Sequence, residues 1–99
     1  MRGSRSGRPI MALLDLLGRR WTLRVIWELR RPAPSFRVLQ ARCQEMSSSV
    51  LSQRLSDLRA AGIADSGPDG GYQLTREGRA LLDALAPLDR WARRWSSRV

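Results

Sequence analysis

A mainly α-helical domain carrying one small β-hairpin is the fold class that this chain predicts. Three observations carry that expectation. Apolar residues recur at three- and four-residue spacings along most of the chain, as helices with one buried stripe require. Residues 63–74 read instead as two short extended runs around a turn rich in Gly and Pro. The length, 99 residues of which 42% are hydrophobic, suits one small domain with one core.

Residues 1–7 (MRGSRSG) are small, polar and basic without periodicity, and a disordered tail is expected there, with the domain spanning residues 8–99. Pro9 suits the first turn of a helix in which Ile10, Leu13, Leu14 and Leu17 form an apolar stripe before Gly18. Met11 and Leu16 widen that surface beyond what one core-facing stripe needs, so a subunit contact is expected there as well. Residues 21–31 form a second helix, closed by Pro32 and Pro34, with Thr22, Val25, Ile26 and Leu29 inward and Trp21 and Trp27 as structural bulk. Ser35 opens a third, shorter helix with Phe36, Leu39 and Cys43 on one side.

After residues 44–47 comes the stretch around which the chain is organised, MSSSVLSQRLSDLRAAG at 46–62. Leu51, Leu55 and Leu58 stand at i, i+4 and i+7, Ser47 can cap the start, and Gly62 suits the left-handed residue that ends the helix. The hairpin follows, with strands at 63–66 and 72–74 and a turn at 67–71. Thr75 then caps a last helix, 76–96, whose stripe is Leu81, Leu85, Leu88, Ala92 and Trp95, with Leu82 and Trp91 alongside and Pro87 expected to kink it. At about 30 Å such a helix outruns a domain this small.

Composition narrows the function. Eighteen basic residues, all arginine, oppose nine acidic ones for a formal charge of +9, which favours a polyanionic partner. Guanidinium groups also suit bidentate contacts to phosphate and guanine. With no histidine and one cysteine, the usual zinc sites and the Ser–His and Cys–His nucleophile pairs cannot be assembled. The carboxylates form no catalytic motif, so neither an enzyme nor a cofactor is expected. Asp15, followed by Arg19 and Arg20, interrupts the one run resembling a signal peptide, and nothing approaches a membrane span. The expectation is a soluble, cytoplasmic protein with no membrane partner.

Two short helices separated by a few residues, the second with a polar outer face, form a helix-turn-helix, and the hairpin after it is a wing. On that outer face Ser48, Ser49, Ser52 and Gln53 are short-sided and uncharged, suited to base edges, with Gln53 the best reader of adenine. Arg37, Arg42, Arg54, Arg59 and Arg76 are the candidates for phosphate contacts. Ile10, Met11, Leu14, Leu85, Leu88, Trp91 and Trp95, on the first and last helices, are the candidates for a dimer interface.

The order helix, helix, helix-turn-helix, wing, long helix resembles the HxlR-type winged-helix transcriptional regulators, relatives of the MarR group. The resemblance covers residues 8–95. It rests on Leu17-Gly18-Arg19-Arg20-Trp21-Thr22-Leu23, Phe36-Arg37-Val38-Leu39, Leu51-Ser52-Gln53-Arg54-Leu55, Ala61-Gly62-Ile63, and residues 72–81, YQLTREGRAL. It implies a homodimer that binds double-stranded DNA at an approximately palindromic operator. Two positions depart from the family pattern. Arg8 stands where many members carry a cysteine before the first-helix proline, and Cys43 falls on the apolar stripe instead. The wing is short, and its Asp65 and Asp69 replace the usual basic residue. A small-molecule effector of unknown identity, in a pocket drawing on Trp21, Trp27 and Trp91, is compatible with the resemblance. A winged-helix module that binds RNA or a protein without operator specificity is the alternative reading.

Overall fold

The computed structural model describes residues 8–98, so the tail expected at residues 1–7 lies outside the described residues. Five helices and two strands follow in the order α1 (Pro9–Leu17), α2 (Thr22–Glu28), α3 (Phe36–Arg42), α4 (Ser48–Ala60), β1 (Ala64–Ser66), β2 (Tyr72–Leu74) and α5 (Arg76–Ser96). This is the winged helix-turn-helix arrangement.

Local chemistry sets the helix starts. Ser35, Ser47 and Thr75 are extended and accept the backbone N–H of Val38, Val50 and Gly78, at 3.2, 3.2 and 3.0 Å. Gly62 leaves α4 at φ 75°, where any other residue would be strained.

Two expectations need correction. The core side of α1 is Ala12 and Leu16, with Leu13 and Leu17 half-buried, while Ile10 and Leu14 of the expected stripe point outward. In a helix apolar nearly all round, spacing alone does not fix which side turns inward. The second helix is also shorter than residues 21–31. Trp21 takes a left-handed φ of 76° ahead of it, and the chain leaves it after Glu28. Pro87 does not end α5. It is exposed, so water can reach the Asp83 carbonyl that loses its backbone partner.

β1 and β2 pair antiparallel, Ala64 opposite Leu74 and Ser66 opposite Tyr72. Ala33, between Pro32 and Pro34, adds a bridge to Tyr72 through two backbone hydrogen bonds of 2.9 and 2.8 Å. The core gathers Val25 and Ile26 of α2 with Leu29 just beyond it, Leu39 and Cys43, Leu51, Leu55 and Leu58 of α4, and Ile63, Ala64 and Leu74 of the hairpin. α5 starts against this unit. The Thr75 hydroxyl donates to the Gly62 carbonyl at 2.6 Å and the Thr75 N–H to the Ile63 carbonyl at 2.9 Å. A Cβ on Gly78 would strike that same Ile63 carbonyl.

Gly78→Ala should therefore cost about 1–3 kcal/mol, since backbone must shift to admit the methyl. Thermal or urea unfolding checks this. Unchanged stability would refute the close approach of α5 to the end of α4.

Candidate nucleic-acid interface

α4 divides cleanly by exposure. Leu51, Leu55 and Leu58 are buried at 0%, 3% and 0% exposure, while Ser48, Ser49, Ser52, Gln53, Ser56 and Arg59 face outward. The four predicted base-reading residues thus share one exposed surface. Ser49 leans back on the cap, its hydroxyl 3.3 Å from that of Ser47. Beside this face runs an open groove of about 490 Å³ lined by Phe36, Ser52, Leu55, Ser56, Arg59 and Tyr72. Phe36 and Tyr72 meet edge to face at 6.3 Å and form part of its wall. Tyr72 was not among the sequence candidates, because its place in the groove follows from the Ala33 bridge, a contact between distant residues.

The predicted phosphate contacts fall into two groups. Arg37 on α3, Arg59 on α4 and Arg76 on α5 are exposed, and none forms an ion pair among the described residues. Arg42 and Arg54 are engaged within the fold. The Arg42 guanidinium donates to the carbonyls of Glu28, Arg31 and Pro32 at 3.0, 2.7 and 3.2 Å, closing the end of α2. Arg24 completes that corner by pairing with Glu28 at 2.9 Å and Glu45 at 3.2 Å. At the wing, Asp65 and Asp69 are both exposed, and residues 67–71 bring no basic group.

Apolar surface remains uncovered elsewhere. Ile10, Met11 and Leu14 of α1 and Leu88, Trp91 and Trp95 of α5 are 40–57% exposed, and Leu85 is half-buried. Trp91 and Trp95 stack at 5.9 Å between ring centres, 13° from parallel. Leu23 and Trp27 of α2 are exposed too, and the Arg30 guanidinium lies 3.9 Å over the Trp27 ring. Trp27 is therefore not the core residue that the sequence led us to expect. Trp21 is half-buried with the Arg20 guanidinium 4.9 Å above it.

Asp57 is the electrostatic centre of α4. One oxygen accepts from Gln53 Nε2 at 3.0 Å and Arg19 Nη1 at 3.2 Å, and the other from Arg54 Nη1 at 2.6 Å. Burial pushes its carboxyl up, but hydrogen bonds from Gln53, Arg54 and Arg19 outweigh burial and hold it below the ordinary 3.8. Arg54 is mostly buried, and its Nε has no partner among the described residues. A carboxyl depressed by folding adds stability that is complete above its ordinary pKa and lost as pH falls through the lowered value. The stability gap between the protein and Asp57→Asn should hold level above about pH 4 and shrink below it, as urea unfolding across that range would measure. A gap that widens in acid would contradict the pairing.

Comparison with known proteins agrees with this geometry. The model of the family described as HxlR-like helix-turn-helix matches residues 16–99. The HTH-type transcriptional regulator YvaP of Bacillus subtilis (strain 168) is 31% identical over 88 residues, covering 83% of this chain and 82% of YvaP. Among solved structures, quinone-bound YodB from B. subtilis superposes with a TM-score of 0.77 at 28% identity, covering 88% of this chain and 98% of YodB. The reduced form of YodB gives a TM-score of 0.74 at 28% identity, covering 86% of this chain and 90% of that one. With the polar ridge of α4, the hairpin beside it and these likenesses together, the chain belongs to the HxlR-like helix-turn-helix family of transcriptional regulators.

Proposed function

We propose that this protein is a cytoplasmic, sequence-specific DNA-binding regulator that acts as a homodimer on a pseudo-palindromic operator. The observation that carries the proposal is the division of α4, with its leucines buried and a continuous Ser/Gln ridge left exposed beside a groove. α4 enters the major groove, where Ser48, Ser49, Ser52 and Gln53 meet base edges. Arg37, Arg59 and Arg76 neutralise phosphates, whereas Arg42 and Arg54 act chiefly by holding the domain together. The acidic wing stays out of the minor groove. Among the described residues, no helix is long and apolar enough to cross a membrane.

The exposed apolar sides of α1 and α5 supply the dimer contact, placing two copies of α4 about 34–36 Å apart on one face of the duplex. Any effector acts without a thiol. Exposed thiolates attack quinones and oxidants, but Cys43 is fully buried and burial pushes its pKa up. YodB is seen in a quinone-bound form, and here the one thiol, Cys43, is buried away from any such electrophile.

Selection of bound fragments from random DNA, at fixed salt, tests the reading role. Gln53→Ala should relax the preference at one position of each half-site, by about tenfold for a good bidentate contact. Arg59→Ala should weaken all sequences alike and lower the salt slope by about one. Equal losses on operator and random DNA for Gln53→Ala would remove that residue from the reading role.

Sedimentation tests the assembly. The protein should sediment as a dimer, and Leu88→Ala combined with Trp95→Ala should give a folded monomer with weakened operator binding. A parent protein that is monomeric at micromolar concentration would favour the RNA- or protein-binding alternative.

A further inference from the structure

The amide of Gln53 does not lie loose on the exposed face. Its nitrogen donates to Asp57 Oδ1, one helical turn further along α4. Asp57 is itself held, because Arg54 on α4 and Arg19 in the turn between α1 and α2 both pair with it and its side chain is 10% exposed. We infer that Asp57 is a positioning residue for base reading, fixing which way round Gln53 presents its amide. The inference rests on the reading role proposed above for Gln53.

The argument is one of donors and acceptors. A primary amide has nearly the same shape either way round, but its carbonyl end only accepts and its nitrogen end only donates. An ionised carboxylate only accepts, so the nitrogen end alone can face Asp57. Turning the amide over would break the 3.0 Å hydrogen bond and set a carbonyl oxygen against a carboxylate. With one N–H given to Asp57, the carbonyl oxygen and the second N–H remain side by side for a base. That pair, in a fixed direction, matches the N6 donor and N7 acceptor of adenine in the major groove. Without Asp57 both orientations become accessible, and the same side chain would tolerate bases whose donor and acceptor are exchanged. Arg19 and Arg54 keep the carboxyl ionised and fixed in place, so the acceptor persists when DNA approaches.

Asp57 also staples the turn between α1 and α2 to α4, and a merely structural role makes a different forecast. Loss of the staple would lower stability and weaken every sequence alike, without touching preference at one base. Sequence selection with the full-length protein, below the melting temperature of each variant, separates the two. Asp57→Leu is similar in size but cannot accept a hydrogen bond, whereas Asp57→Glu keeps a carboxylate that only accepts. At the position read by Gln53, Asp57→Leu should reduce preference from roughly tenfold to roughly twofold, and Asp57→Glu should retain most of it. Combining Asp57→Leu with Gln53→Ala should flatten that position no further than Gln53→Ala alone. Should Asp57→Leu prove unfolded, Asp57→Ala gives the same readout. Preference intact in the acceptor-free variant, or lost in Asp57→Glu as well, overturns the positioning role and leaves the reading role of Gln53 standing. Preference unchanged in Gln53→Ala removes the reading role itself, and this inference with it.

Discussion

Burial of three leucines on α4 is the constraint from which the rest follows. Each fully buried leucine contributes about 1.5–3 kcal/mol relative to exposure, and Leu51, Leu55 and Leu58 are all but inaccessible. Turning α4 by a single residue would expose part of that stripe and press serine or glutamine into a core offering no partner, a further cost of about 1–3 kcal/mol per group. The phase of the helix is therefore not negotiable. The exposure of Ser48, Ser52 and Gln53 is a consequence of what lies opposite them, rather than of any preference of their own.

Close backbone contacts then fix the neighbours to this phase. Gly62 turns the chain from α4 into the hairpin, and the Ile63 carbonyl receives the N–H of Thr75 while leaving no room for a Cβ on Gly78. On the far side, Tyr72 bridges Ala33, and Gly71 packs so tightly on the Ala33 carbonyl that a Cβ would overlap it. Arg42 ties the end of α3 to the end of α2 through three carbonyls. These joints leave little play between α3, α4, the wing and the start of α5. Arg37, Arg59 and Arg76 belong to three different elements, so under the proposed reading a common register on one duplex would depend on that rigidity.

The sequence made legible what is local or periodic. Caps at Ser35, Ser47 and Thr75, the leucine stripe, the left-handed Gly62 and the hairpin all rest on chemistry within a few residues. What was not legible depends on distant partners. The inward side of α1 could not be chosen while Ile10, Leu13, Leu14, Leu16 and Leu17 offered competing stripes. Trp21 is left-handed because the turn into α2 demands it, and no sequence rule assigns φ > 0 to tryptophan. Arg42 and Arg54 look like any other arginine on a basic helix until their acceptors come into view. Asp57 gave no sign at all, since Arg19 lies 38 positions away in sequence.

That engagement changes how the charge should be weighed. A formal +9 suggests strong, indiscriminate attraction to DNA, yet several of the arginines are engaged inside the domain rather than free to meet phosphate. Arg24 faces Glu28 and Glu45, Arg19 and Arg54 face Asp57, and Arg42 is wrapped in carbonyls, while Asp65 and Asp69 make the wing acidic. On the proposed face this leaves Arg37, Arg59 and Arg76, which would give a salt slope of about −2.7 for one copy and about twice that for two. One copy alone would therefore hold DNA weakly, and the proposed reading by a few serines and one glutamine would add little to a single encounter. Two copies joined at fixed separation make the second engagement intramolecular, so modest contacts multiply rather than add. On this reading the apolar sides of α1 and α5, which one domain of this size cannot cover, and the lightly charged ridge of α4 answer to the same requirement. Weak individual contacts favour discrimination only when assembly supplies the affinity.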